Sequence, residues 1–460
     1  MKITELSAYD ARGGTVTEWR PRPATPAADP RPPSYLQEQH VRVAAAQHAA
    51  GVHAPTWLAT AFDLPGGLDQ HALRTALAGW TTRHETLRSR FRFSGTGLRR
   101  FTLNAMSFEP HDIGEIADPD ELHRYLEDRF DRGTSPLDWP PYLIFTVHGP
   151  DRATIYLAFD HTNVDGYSLF LIADEFNELY SAALAGRPPE LPEVGSYPDF
   201  CAAERIRAAD VGADDAAVAR WREFLRDSGG EQPVFPLELD VPPGPPPAQR
   251  SEADWLLDSA EAERFNAACK QSGGSFLSGV LATAAIAASE LGDTEVYRTV
   301  VPFHTRSHQR WAASLGWYVG LAPFELSTAE TADFRDLVRA ASDETRAAKH
   351  LAEVPLARVC ELLGGLFLPR SAVSYMDVRQ VAGADRWRTW NAQTFGKVSL
   401  GDEVYIWVLR TPDGVYLASR YPNTDLAYKN MSRYIERMRE VFITVAETGT
   451  YYVTRPASDS

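Results

Sequence analysis

Helices and strands mix in both halves of this 460-residue chain, which predicts an α/β or α+β protein of two units. Three observations lead there. Runs with helical spacing, such as "HALRTALAGW", occur alongside short runs rich in β-branched and aromatic residues, such as "ATIYLAF", both early and late in the chain. Two proline-rich stretches, "GRPPELPEVGSYP" from Gly186 and "PVFPLELDVPPGPPPAQR" from Pro233, read as extended connections, because proline fixes φ and removes a donor. They separate a first lobe, residues 1–187, from a second, residues 188–460, whose start holds both connections. Apolar residues at 44% and charged residues at 23% are ordinary for a packed protein and argue against disorder.

In the first lobe, "LDQHALRTALAGWTTRHETLRSRF" places Ala72, Leu73, Ala76, Leu77 and Trp80 on one face of a helix that Asp69 can cap. "PYLIFTVHG" and "ATIYLAF" read as neighbouring strands. "GYSLFLIADEFNELYSAAL" returns to helical spacing through Leu169, Ile172, Phe176 and Leu179. "AVARWREFLRDSGG" fits a connecting helix that ends at a glycine pair. The second lobe offers an apolar helix from Ser275, a strand "EVYRTVVPF" and a polar helix "DFRDLVRAASDETRAAKH". Late strands "EVYIWVLR" and "GVYLASRYP" follow, with a closing helix in "YKNMSRYIERMREVFITVAE".

The formal net charge of −16 works against a role that tracks nucleic-acid phosphates, so no nucleic-acid partner is expected. Three scattered cysteines, Cys201, Cys269 and Cys360, indicate neither a disulfide framework nor a thiolate metal site, and a reducing cytoplasm is the simplest setting. The opening "MKITELSAYDARGG" carries Glu5 and Asp10 where a secretory signal would be apolar. The longest apolar run, "FLSGVLATAAIAAS" from Phe276, is shorter than the ~20 residues a membrane span needs, so no transmembrane segment is expected. Metal use is not indicated: "HTRSH" offers His304 and His308 without a third ligand, and no HExxH occurs.

The segment that points to chemistry is "IYLAFDHTNVDGYSLF", where a strand ends in Asp160 and His161 and an Asp165-Gly166 turn leads into a helix. Strand-end loops are where reactive groups tend to be held on a rigid scaffold. "DHTNVDG" resembles the HHxxxDG motif of the condensation-domain superfamily, the chloramphenicol-acetyltransferase-like acyltransferases. "RHETLRSRF" from Arg83 resembles the family's RHExLRTxF, "PPSYLQEQHVR" its opening SxxQ segment and "SYPDFCAAE" its YxDYAxW segment. "HTRSHQRWAASLGWYVGLAPF" resembles the stretch that usually ends GxFVNTLPLR. The resemblance spans roughly residues 30 to 445. Asp160 stands at the first motif histidine, Ala203 at the YxDYAxW tryptophan, and Gly320 and Leu321 at the Asn-Thr pair. With "SYMDVR" and "ASRYPNT", this pattern is closer to free-standing condensation enzymes and polyketide-associated acyltransferases.

The resemblance implies two chloramphenicol-acetyltransferase-like lobes forming a pseudo-dimer, with the active site in the cleft between them. It implies His161 as catalytic base, Asp165 as a structural carboxylate of the site and Gly166 as an amide donor to an oxyanion. Arg83 is the expected partner of Asp165 and Arg88 the second choice, with His84 structural; Asp160 supports the site, and Trp317 and Tyr318 line the cleft. An unperturbed imidazole, pKa ~6.5, is mostly neutral yet basic at physiological pH, so the rate is expected to rise with pH through that value.

The expected reaction transfers an acyl or aminoacyl group from a thioester to an alcohol, in secondary metabolism or complex-lipid biosynthesis. No bound cofactor is expected. The donor rides on phosphopantetheine, on an acyl or peptidyl carrier protein acting in trans or on coenzyme A, since neither an adenylation nor a carrier domain fits in the sequence. An amide-forming condensation enzyme and a non-catalytic carrier-binding homologue are the alternatives. A serine hydrolase is disfavoured, for no GxSxG elbow occurs and Ser168 follows His161 too closely.

Overall fold

A computed structural model describes residues 1–454 apart from 24, 96, 105, 150, 151, 293 and 330–332. These residues form two compact units. The first holds Met1–Asp210, Arg306–Tyr318 and Gln380–Ser399, so two segments far along the chain belong with the N-terminal residues. The second holds Val211–Thr305, Val319–Arg379 and Leu400–Ser460.

The first unit is built on a seven-stranded sheet, in which Ala153–Phe159 lies between Leu58–Leu64 and Tyr142–His148, antiparallel to both. Every residue of Ala153–Phe159 is buried. Helices cover both faces, which is why the strand reads as a continuous apolar run instead of an alternating one. Tyr156 and Ala158 pack with Leu122, Leu126 and Phe130 of the helix Pro119–Gly133. On the other face, Trp80 of the helix Gln70–Arg83 meets Phe159 and Phe176, the latter from the helix Gly166–Ala185. Asp69 caps Gln70–Arg83 as expected, accepting from the Ala72 amide at 2.8 Å. Trp80 is fully buried. Trp80→Ala should therefore cost about 3–5 kcal/mol, which a urea titration followed by fluorescence would register as an earlier unfolding transition.

The second unit carries a six-stranded sheet that mixes parallel and antiparallel pairs. Its core is the apolar helix Phe276–Gly292, packed beside Ser259–Gln271, Phe334–Leu351 and Asp425–Thr448. Gly279 permits the contact with Ser259–Gln271: a Cβ there would sit 2.3 Å from the Cys269 sulfur. The expected strands appear as Val296–His304, Val404–Thr411 and Gly414–Pro422, and the connecting helix as Ala216–Asp227. Both proline-rich stretches run largely outside regular structure. Among the described residues no single helix is long and apolar enough to cross a membrane.

Candidate active site

Phe159 is the last strand residue, and the loop that follows is pinned from several sides. The Asp160 amide donates to the Pro141 carbonyl, and the Asp160 carboxylate accepts from the Thr162 amide at 2.8 Å and the Thr162 hydroxyl at 2.6 Å. Asn163 donates to the Thr86 carbonyl, and Gln37 donates to the Thr162 carbonyl at 2.7 Å. Gln37 sits in the first turn of the helix Tyr35–Ala49, where it completes a capping box with Ser34. The SxxQ segment thus anchors a helix to the histidine loop.

Asp165 closes the loop as the N-cap of Gly166–Ala185 and accepts from the Ser168 amide and hydroxyl, each at 2.7 Å. Its ionic partner is Arg306, at 3.1 and 3.3 Å, and not Arg83 or Arg88. The Tyr318 amide donates to the same carboxylate at 3.0 Å. Arg306 also donates to Ser168 and to the carbonyls of Trp311 and Ser314, and its guanidinium lies 4.2 Å from the Tyr318 ring. Both side chains of the pair are almost wholly buried. Ser168 is consumed by this network, which leaves it no nucleophile's freedom.

The two arginines of "RHETLR" work elsewhere. Arg83 pairs with Glu175 at 3.3 Å and donates to the Pro192 carbonyl, while Arg88 donates to the carbonyls of Thr81 and Leu103. His84 hydrogen-bonds Glu175 through Nε2 and accepts from the Leu315 amide at Nδ1, a structural arrangement.

His161 is only partly buried, and its chief contact is Trp317, stacked with ring centroids 3.7 Å apart and planes 20° from parallel. Trp317 is held by its neighbours: the Tyr197 hydroxyl donates to its carbonyl at 3.0 Å. Gly316 lies so close to Tyr197 that a Cβ would come within 2.4 Å of that ring. Tyr318 is wholly buried and donates its hydroxyl to Ser314, so it belongs to the core beneath the site. The Nδ1 of His161 is buried without a hydrogen-bond partner.

His40, from the helix Tyr35–Ala49, was not singled out in the sequence. Its Nε2 is 2.9 Å from Asp160 Oδ2, and its ring stands edge-on to Trp317 and His161, at 5.5 and 6.5 Å between centroids. Asp160 therefore serves His40 and Thr162, and no hydrogen bond joins it to His161. The available cue was spacing: Ser34, Gln37 and His40 recur every three residues, so they share a helix face.

The His161 pKa is lowered to about 4, by burial first and then by the neighbouring His40 cation, which Asp160 and Asp165 only partly offset. Burial opposes charge on His40, yet its pKa is raised, because the Asp160 carboxylate outweighs desolvation. Asp160 is held below the usual carboxylate range by His40 and Thr162, again against burial. The acid limb therefore moves below the ordinary imidazole value. Below about 4 the folded enzyme protonates His161 and loses its base, so kcat/KM should be nearly flat from pH 6 to 8 and fall toward pH 4. A pH profile of kcat/KM with a midpoint near 6.5 would contradict this.

The structure thus gathers Asp160, His161, Trp317 and the unforeseen His40 into one cluster, and Asp165, Gly166, Tyr318 and the unforeseen Arg306 into another beside it. Neutral imidazole at a strand end and the first amides of a 20-residue helix are suited to proton transfer and to holding an anion. No group of three or more metal-ligating side chains occurs among the described residues.

Known proteins similar to this chain are acyltransferases. A family model described as Condensation domain matches residues 48–365. Acyltransferase PapA3 of Mycobacterium tuberculosis is 30% identical over 472 residues, covering 98% of each chain. Trehalose-2-sulfate acyltransferase PapA2 of Mycobacterium bovis is 29% identical, covering 99% of each. Among solved structures, a PapA2 acyl transferase superposes with a TM-score of 0.88 at 27% identity, covering 97% of this chain and all of that one.

Proposed function

This chain belongs to the condensation-domain family and is an acyltransferase, and on that premise we propose that it forms an ester by transferring an acyl group from a phosphopantetheine thioester to an alcohol. The donor is carried by a separate carrier protein or by coenzyme A. The observation that carries this reading is His161: a neutral imidazole at a strand end, stacked on Trp317.

In the reaction His161 takes the proton of the acceptor hydroxyl as its oxygen attacks the thioester carbonyl. The resulting imidazolium lies against the face of Trp317, whose π electrons attract a cation. The negative oxygen of the tetrahedral intermediate is received by the Gly166 amide at the start of its helix. Collapse breaks the carbon–sulfur bond, and the leaving thiolate regains its proton from His161. Asp165 and Arg306 take no proton; they hold the Gly166 end of the helix and the Trp317 segment in place.

The acceptor is a small-molecule alcohol. A relative named for trehalose-2-sulfate favours a sugar hydroxyl as the first acceptor to try. The test supplies acyl-carrier and acyl-coenzyme A thioesters with matched alcohol and amine acceptors. Ester from wild type is the expected result. Amide as the main product would overturn the acceptor assignment, and a requirement for ATP with free acid would overturn the thioester donor.

A further inference from the structure

Asp160 is a fully buried carboxylate, and its nitrogen partner comes from another element, the helix Tyr35–Ala49. The capping box at Ser34 and the Gln37 bond to the Thr162 carbonyl fix that helix against the loop. His40, one turn further on, is thereby set between Asp160 and the edge of Trp317, while Trp317 covers the face of His161. His40 and Trp317 thus flank the His161 imidazole.

We propose that His40 is a positioning residue for His161, acting through its hydrogen bond to Asp160 and its edge-on contacts with Trp317 and His161. The inference rests on His161 being the base. Its physical content has two parts. The Asp160–His40 pair holds the loop backbone and Trp317 at the spacing that seats the His161 ring. Ionised against Asp160, His40 also places a cation beside His161 and disfavours a second positive charge there, adding to burial in keeping the base neutral when the acceptor arrives. The charged groups acting on His161 are His40 from the helix and Asp160 and Asp165 from its own loop. Glu38 and Arg42, on the same helix as His40, are engaged with each other, and Glu38 also with Arg205.

The experiment follows the His161 ring by NMR titration and measures kcat and KM, in wild type, His40→Gln and His40→Lys. Glutamine keeps a hydrogen-bonding group opposite Asp160 and removes the cation; lysine keeps the cation. His40→Gln is expected to raise the His161 pKa by about one unit or more and to lower kcat by about 10- to 100-fold, with KM within twofold. His40→Lys is expected to keep the His161 titration near that of wild type. An unmoved His161 titration in His40→Gln, or an equal rise in His40→Lys, would overturn the proposal. If His40→Gln does not fold, the lysine variant decides alone, a low His161 pKa supporting the role and a raised one overturning it. The titration needs no turnover, so it stands apart from failure of the base assignment, which active His161→Ala would reveal.

Discussion

His161→Ala is expected to lower ester formation by about 10²- to 10⁴-fold while the chain stays folded. The size follows from what a positioned general base supplies: an alcohol arrives protonated, with a pKa far above 7, and its oxygen attacks only as the proton departs. The retained fold follows from the contact pattern. The Asp160–His40–Thr162 and Asp165–Arg306–Ser168 networks each close without His161, so neither loses a partner. What disappears is the stacking on Trp317, a contact of about 0.5–1.5 kcal/mol beyond its buried area. Removing a ring whose folded pKa lies near 4 also removes a source of acid instability. In wild type the unfolded chain binds a proton here more readily than the folded one, so this stability is complete above about pH 6.5 and is lost as pH falls toward 4. An amine acceptor is already nucleophilic once deprotonated, so the variant should lose less with amine than with alcohol. Single-turnover kinetics with both acceptors, beside a thermal melt, measures all of this. Undiminished ester formation in a folded His161→Ala would end the mechanism.

Much of the scaffold was legible because local pattern and burial agree. Ala153–Phe159 is a seven-residue apolar run, since both its edges are paired and both its faces covered, and Asp69 is where a cap belongs. Gly14–Pro23 was not legible. Glu18, Arg20 and Arg22 alternate with apolar residues, and Pro21 and Pro23 argue against a strand inside a sheet. The structure resolves the conflict: Thr15 to Glu18 pair on both sides, but at Pro21 and Pro23 only Met106–Ile116 lies alongside. Tyr35–Ala49 escaped for another reason. Among its residues only Gln37 and Val41 are buried, so it has no apolar stripe to announce it, and His40 went unseen with it. The motif residues His161, Asp165 and Gly166 could be placed from one short segment. Their partners could not, because Arg306 reaches Asp165 from 141 residues away and nothing local in "HTRSH" marks its middle residue.

Arg306→Ala is expected to destabilise the first unit by about 3–5 kcal/mol, and Asp165→Ala by a similar amount, because each leaves a buried charge without its counterpart. A midpoint shift on the order of 10 °C follows for a unit of this size. Arg306 carries further bonds to the Trp311 and Ser314 carbonyls and to Ser168, so its loss also frees the Gly316–Trp317 segment that stacks on His161. Activity should fall with stability in both single variants, which alone would not separate a folding role from a catalytic one. The double variant Asp165→Leu with Arg306→Met does separate them. Replacing both ions by apolar groups of similar size removes the unpaired charge, so the stability loss should be well below the sum of the single losses. Activity should not return with it. Without the carboxylate the helix from Gly166 loses its cap, and the Tyr318 amide loses the acceptor that ties the Trp317 segment to the loop. Urea titration and ester turnover on wild type, Asp165→Leu, Arg306→Met and the double variant give the answer. Recovery of stability with turnover still low assigns the pair to holding the helix start and Trp317 in register with His161. Recovery of both would mean that the carboxylate and its arginine contribute only to folding.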